Sequence, residues 1–120
     1  MSRILAVDDT RALLNMLRAC LERGGHEVFT AKDGVEALEA LREHRPDLVI
    51  TDLNMPKMNG LEFITAARAD PCGAGIPIVM LTTESAPGMK AKGKSAGATG
   101  WINKPFDADQ LIAVTRKLLG

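Results

Sequence analysis

The sequence has no excess of charge of either sign. Its 15 basic and 15 acidic residues cancel to a formal net charge of +0, so no bulk field draws it to nucleic acid or to an anionic membrane. It has no long apolar run either: none approaches the roughly 18 residues that a membrane span needs. The opening MSRILAVDD reaches two acids too soon for a signal peptide. Cysteine is scarce. Cys20 and Cys72 stand too far apart for a metal motif and are too few for a disulfide framework, so two inert free thiols in a reducing cytoplasm are expected. No repeat, low-complexity tract or linker interrupts the 120 residues, which suit one domain, 1–120, with a single core. A cytoplasmic monomer is expected, with no nucleic-acid or membrane partner.

What is present alternates. Arg3 to Val7, Glu27 to Ala31, Leu48 to Asp52, Ile78 to Thr82 and Gly100 to Asn103 read as strands. They are short continuous apolar or β-branched runs, which suits strands buried on both faces. Between them lie helical patterns. Arg11 to Arg23 puts Leu13, Leu14, Leu17 and Leu21 on one side, with Thr10 as N-cap and Gly24-Gly25 as the stop. Asp33-Gly34 reads as a turn, and Val35 to His44 as a helix with Val35, Leu38 and Leu41 inward, ended by Pro46. Gly60 to Arg68 carries Leu61, Ile64 and Ala67. Ser85 to Ala96 is a weaker helix, since Gly88 and Gly93 each cost about 1 kcal/mol against Ala. Asp107 starts the last helix, with Gln110 in capping-box spacing and Leu111, Val114, Thr115 and Leu118 inward. Right-handed crossovers then give an open α/β sheet, whose ligands bind outside the carboxyl ends of the strands.

That edge collects chemistry. Strand one ends in Asp8-Asp9, strand three in Asp52, strand four in Thr82-Thr83 and strand five in Lys104-Pro105. Alone, Asp52 reads best as a turn cap. Four strand tips with complementary groups are harder to attribute to turn preference. Three carboxylates close together repel, by roughly 4 kcal/mol per pair at about 4 Å and an effective dielectric near 20. A hard divalent cation such as Mg²⁺ is the natural neutraliser, since it takes carboxylate and phosphate oxygens together. With Lys104 as a point charge and Thr82 as a donor, the set suits a transferring phosphoryl group. Asp52 can then be the nucleophile that forms an aspartyl phosphate.

On Asp8-Asp9, Asp52 with Met55-Pro56 and Gly60, Thr82, and Lys104-Pro105-Phe106, the chain resembles the receiver domains of two-component response regulators over Arg3 to Leu119. It is similar in particular to the single-domain chemotaxis (CheY-like) type, through Ala96 to Trp101 (AGATGW). The resemblance implies a flavodoxin-like five-stranded parallel sheet of order 2-1-3-4-5 with five helices on its two faces. It implies Asp52 as phosphoacceptor. Mg²⁺ or Mn²⁺ would be held by Asp9, Asp52 and the Asn54 main-chain carbonyl, with Asp8 acting through water. It also implies a Lys104 that pairs with the acceptor carboxylate and then the phosphoryl group, a cis bond to Pro105, and a Thr82 hydroxyl that turns to the phosphoryl oxygen. Asn54 and Glu84 would flank the hydrolytic water and set a phosphoryl lifetime of minutes at most. The implied partners are a histidine kinase of the CheA type, a flagellar motor switch protein or other output protein, and a phosphatase. The protein would catalyse its own phosphorylation and dephosphorylation without being a turnover enzyme on an external substrate.

Some residues keep two readings. Trp101 stands where the family has an aromatic switch, or is a packing residue. Met89 fills a gap or joins a partner face. Lys90, Lys92 and Lys94 form a solvated face or meet an acidic partner. Thr83, beside the phosphate, narrows access with its methyl or adds a hydrogen bond. A phosphate sink and a phosphorelay intermediate stand beside the motor-binding role. A dehalogenase-like phosphatase would need an acid where Asn54 stands, and a flavin carrier a Gly- and hydroxyl-rich loop where Asp8-Asp9 stand.

Overall fold

Five short apolar runs become five parallel strands because helices cover both faces of the sheet. The structure is a computed structural model that describes residues 2–120. The elements are β1 (Arg3–Val7), α1 (Arg11–Arg23), β2 (Glu27–Ala31), α2 (Gly34–His44), β3 (Leu48–Thr51), α3 (Gly60–Ala69), β4 (Ile78–Thr82), α4 (Met89–Ala96), β5 (Gly100–Asn103) and α5 (Ala108–Leu119). All pairings are parallel and the order is β2-β1-β3-β4-β5, as the resemblance implies.

Successive strand residues point to opposite faces, and the core divides accordingly. Ile4, Ala6, Leu48, Ile50, Val79 and Leu81 meet Leu17 and Leu21 of α1 and Leu111 of α5. Leu5, Val7, Val49, Ile78 and Met80 meet α2 and α3 through Ala37, Leu41, Phe63, Ile64 and Ala67, with Met89 and Ala96 of α4 packed alongside. Among the described residues no helix is long and apolar enough to cross a membrane.

Four local expectations need correction. The second helix begins at Gly34, not after a turn there, because the Asp33 side chain accepts the Glu36 amide and caps it. The inward face of this helix is Gly34, Ala37 and Leu41, and Val35, about a hundred degrees round from Gly34, is 42% exposed. Helix α4 starts at Met89, since residues 85–88 form a loop in which Gly88 takes φ 83°. Thr10 has N-cap backbone geometry but its side chain makes no cap bond. Its amide instead donates to Asp8 Oδ1 at 2.9 Å. Asp107 caps α5 by accepting the Asp109 and Gln110 amides, and the complete capping box lies elsewhere, between Asn59 and Glu62 at the start of α3.

Candidate phosphoryl-transfer site

Parallel pairing brings the carboxyl ends of β1, β3, β4 and β5 to one rim, and with them four of the tips named above. Asp8 is 1% exposed and Asp52 7%. Two buried carboxylates so close need a cation, and Lys104 supplies it. Its Nζ donates to Asp8 Oδ2 at 2.6 Å and to Asp52 Oδ2 at 3.1 Å. The sequence reading paired Lys104 with the acceptor alone; the structure gives it both. Burial by itself would push this ammonium down, but the hydrogen bonds and charges of the two carboxylates outweigh it and hold Lys104 above the ordinary lysine value.

The other carboxylate oxygens are held by main chain. Asp52 Oδ1 accepts the Leu53 amide at 2.7 Å, and Asp8 Oδ1 accepts Thr10. Asp52 sits where it does because its own amide continues the ladder to Val7 at 2.9 Å, although β3 itself ends one residue earlier. Gly60 then lets α3 start against this peptide. A Cβ there would collide with the Asp52 carbonyl oxygen and lie 2.9 Å from Leu53 Cα.

Asp9 is exposed, and one carboxylate oxygen from each of Asp8, Asp9 and Asp52 lies within 4.8 Å of the others. At that spacing and an effective dielectric near 20, each pair of full charges repels by about 3 kcal/mol. Lys104 offsets part of this. The remaining negative charge and the all-oxygen donor set fit a hard divalent cation. Asn54 is exposed in the loop after Asp52.

The switch candidates gather on a neighbouring side. Thr82 is fully buried; its Oγ1 accepts the Glu84 amide at 3.2 Å and its carbonyl accepts the Lys104 amide at 3.0 Å. Thr83 and Pro105 are exposed, and the Lys104–Pro105 bond is cis. The Glu84 carboxylate accepts the Ala86 amide at 2.9 Å and lines a hollow of about 200 Å³ with Lys90, Trp101 and Asn103. Trp101 is half-buried. Its Nε1 donates to Asn103 Oδ1 at 3.3 Å, and its ring lies so close to α4 that a Cβ on Gly93 would be 3.0 Å from it. A second hollow of about 410 Å³ beside it is lined by Lys90, Lys94 and Ala98 among others. Met89 is half-buried against the core, while Lys90, Lys92 and Lys94 are exposed.

One contributor to the site escaped the sequence reading: Asn103, at the end of β5, is the partner of the indole. A second unforeseen residue, Arg68, lies at the opposite edge of the sheet. Arg68 joins the end of α3 to the end of α4 through Gly97, and to the following loop through the Gly73 carbonyl at 2.8 Å. Burial lowers the pKa of this guanidinium. A pair such as Trp101–Asn103 on one strand face has a sequence signal, two residues apart on the same side; the Arg68 bonds to main-chain carbonyls have none.

The family model for the response regulator receiver domain matches residues 4–116. The DNA-binding response regulator MtrA of Mycolicibacterium paratuberculosis is 43% identical over 117 residues, covering 98% of this chain and 51% of that protein. The chain thus spans about half the length of the curated relatives it matches. Among solved structures, chemotaxis protein CheY4 of Vibrio cholerae superposes with a TM-score of 0.93 at 43% identity, covering 98% of both chains. The receiver domain of sensor histidine kinase PA1611 from Pseudomonas aeruginosa, described with a magnesium ion coordinated in its active-site cleft, has a TM-score of 0.92 at 26% identity, with 99% of this chain and 98% of that one covered.

Proposed function

The chain belongs to the response regulator receiver domain family, and we propose that Asp52 is the residue at which it accepts a phosphoryl group from a histidine kinase. The observation that carries the assignment is the bridging of Asp8 and Asp52 by one ammonium, with Asp9 beside them. An Asp52 carboxylate oxygen bonds to phosphorus as the donor's phosphohistidine N–P bond breaks, and the released imidazole takes up a proton. The Leu53 amide and Lys104 hold the carboxylate in place for attack. Asp8, Asp9, Asp52 and the Asn54 carbonyl would hold a divalent ion, which would supply positive charge against the phosphoryl oxygens. Lys104 then turns from the carboxylate to a phosphoryl oxygen, and the Thr82 hydroxyl donates to another. Asn54 and Glu84 tune the attack of water on phosphorus, which returns the carboxylate and inorganic phosphate, with Thr83 and Pro105 at the rim. The chain acts on no external substrate in turnover. Incubation with a kinase phosphohistidine domain should move its label to this chain with Mg²⁺ and not with EDTA; equal transfer under both conditions would refute the ion's part.

Loss of the Thr82 and Lys104 contacts to their present partners gives the phosphorylated state a different set of contacts, which is what a population shift requires. The readout is the face of α4, β5 and α5 carrying Trp101, Met89 and Lys90. If Trp101 leaves Asn103 during the shift, its emission changes on phosphorylation; an unchanged spectrum assigns the indole to packing. The phosphoryl group should be lost within about minutes, well inside the hydrolytic range of enzymes, and a lifetime of many hours would exclude the assigned roles of Asn54 and Glu84.

The output we favour is chemotactic and cytoplasmic, by binding a flagellar motor switch protein, with a phosphate sink or relay as the variant. The likeness to CheY4 over 98% of both chains supports it. The second reading is control of a DNA-binding output, favoured by the 43% identity to MtrA. Capture of the motor switch protein by the phosphorylated form decides for the first reading.

A further inference from the structure

In the loop from Asp52 to Asn59, Leu53 is buried and Met55 and Met58 pack against the core, while Asn54, Pro56 and Lys57 are exposed. A further hold on its tip comes from another part of the chain. Gly34, the first residue of α2, donates its amide to the Met58 carbonyl at 3.1 Å. A Cβ on Gly34 would lie 2.6 Å from Met58 Cγ and 2.7 Å from both Met58 Cβ and its carbonyl oxygen. Gly34 is not among the positive-φ residues, so glycine is required here for closeness alone. Beside it, Asp33 is buried. Its Oδ1 accepts the Glu36 amide at 2.8 Å, and its Oδ2 lies 3.9 Å from Lys57 Nζ. Lys57 takes φ 66°, a conformation that L side chains rarely adopt.

The far side of the loop closes on the acceptor. The Gly60 amide donates to the Leu53 carbonyl at 2.7 Å, and the Leu53 amide donates to Asp52 Oδ1 at 2.7 Å. A continuous set of contacts thus runs from the start of α2, through Met58 and the loop, to the oxygen of Asp52 that Lys104 does not hold.

We infer that Gly34, with Asp33 beside it, is a positioning residue for the phosphoacceptor site: it docks the loop tip and so fixes the Leu53 amide that orients Asp52. The inference rests on the reading of Asp8, Asp9 and Asp52 as a divalent-ion site. Loss of a contact that orients a metal ligand alters affinity, and Gly34 supports that contact, the Leu53 amide on Asp52, from further back through Met58 and the loop.

Mn²⁺ titration of the full chain, with free ion followed by electron paramagnetic resonance, tests it. Gly34→Ala should weaken Mn²⁺ binding about tenfold. Gly73→Ala is the control. A Cβ there would also strike main chain, the Ala67 carbonyl oxygen, but at the opposite edge of the sheet. It should lose stability and keep wild-type Mn²⁺ affinity. Met58→Ala keeps Gly34 and removes the side chain it packs on; it should weaken binding in the same direction and decides the matter if Gly34→Ala does not fold. Wild-type affinity in folded Gly34→Ala, or in Met58→Ala where Gly34→Ala is unfolded, overturns the inference and leaves the ion site standing. Wild-type chain that binds no Mn²⁺, or Asp52→Asn that binds as well as wild type, overturns the ion site and the inference with it.

Discussion

Replacing Lys104 with Met lowers the unfolding free energy by about 3 kcal/mol when divalent ions are absent. Asp8 and Asp52 are then left buried, each with one main-chain amide and no cation. The low end of the range for broken buried pairs applies because the Lys104 side chain is still 15% exposed. For a chain of this size the melting midpoint falls by roughly 10–15 °C. Millimolar Mg²⁺ should restore part of the loss, since a divalent ion at the proposed site would meet the same carboxylates. The sign with pH is set by the raised pKa of Lys104. A cation held above its unfolded value stabilises fully below that value, 10.5 for lysine, and the contribution fades as pH climbs through the folded value. On Lys104's account, the gap between wild type and variant stays flat from neutral pH to the ordinary lysine range and narrows beyond it. Melting curves with EDTA and with Mg²⁺ check this. A loss under about 1 kcal/mol, the same in both, would mean that the bridge does not hold the site together.

Gly60→Ala should be almost as damaging, for a different reason. The new methyl meets the Asp52 carbonyl oxygen, the Asp52 carbonyl carbon at 3.1 Å and Leu53 Cα at 2.9 Å, all main chain. No flexible side chain can give way, so either α3 backs off or the acceptor peptide moves. Overpacking of this kind costs about 3 kcal/mol. A shift of the acceptor by about 1 Å costs on the order of a hundredfold in rate. Gly75→Ala, where nothing lies within 4 Å, serves as the neutral comparison. Urea unfolding and the rate of labelling by acetyl phosphate read the two effects separately. If Gly60→Ala unfolds and labels as Gly75→Ala does, the close approach of α3 to Asp52 is not a constraint.

The sheet was legible because its strands are buried on both faces and so read as unbroken apolar runs, from Ile4 to Val7 and from Ile78 to Leu81. Once the strands are parallel, the gathering of Asp8, Asp52, Thr82 and Lys104 follows from their places at the strand ends. Other features depend on local helix boundaries and phase, or on contacts between distant segments. Val35 looks like a core residue, but Gly34, Ala37 and Leu41 form the buried face of α2 and Val35 stands off it, 42% exposed. The helix expected from Ser85 begins only at Met89, after Gly88 in a left-handed conformation. That Lys104 bridges two carboxylates, that Asn103 holds the indole and that Gly34 touches Met58 are facts of register and distance. Residue type supplies the chemistry of such contacts but not the pairing.

The central claim is that this rim is a phosphoryl-transfer site with Asp52 as its nucleophile. Incubation with acetyl phosphate and Mg²⁺, followed by peptide mapping, tests it most directly. The account predicts one acid-stable, base-labile acyl phosphate on the peptide that contains Asp52, absent with EDTA and absent in Asp52→Asn. Equal labelling of the Asp52→Asn variant would contradict it.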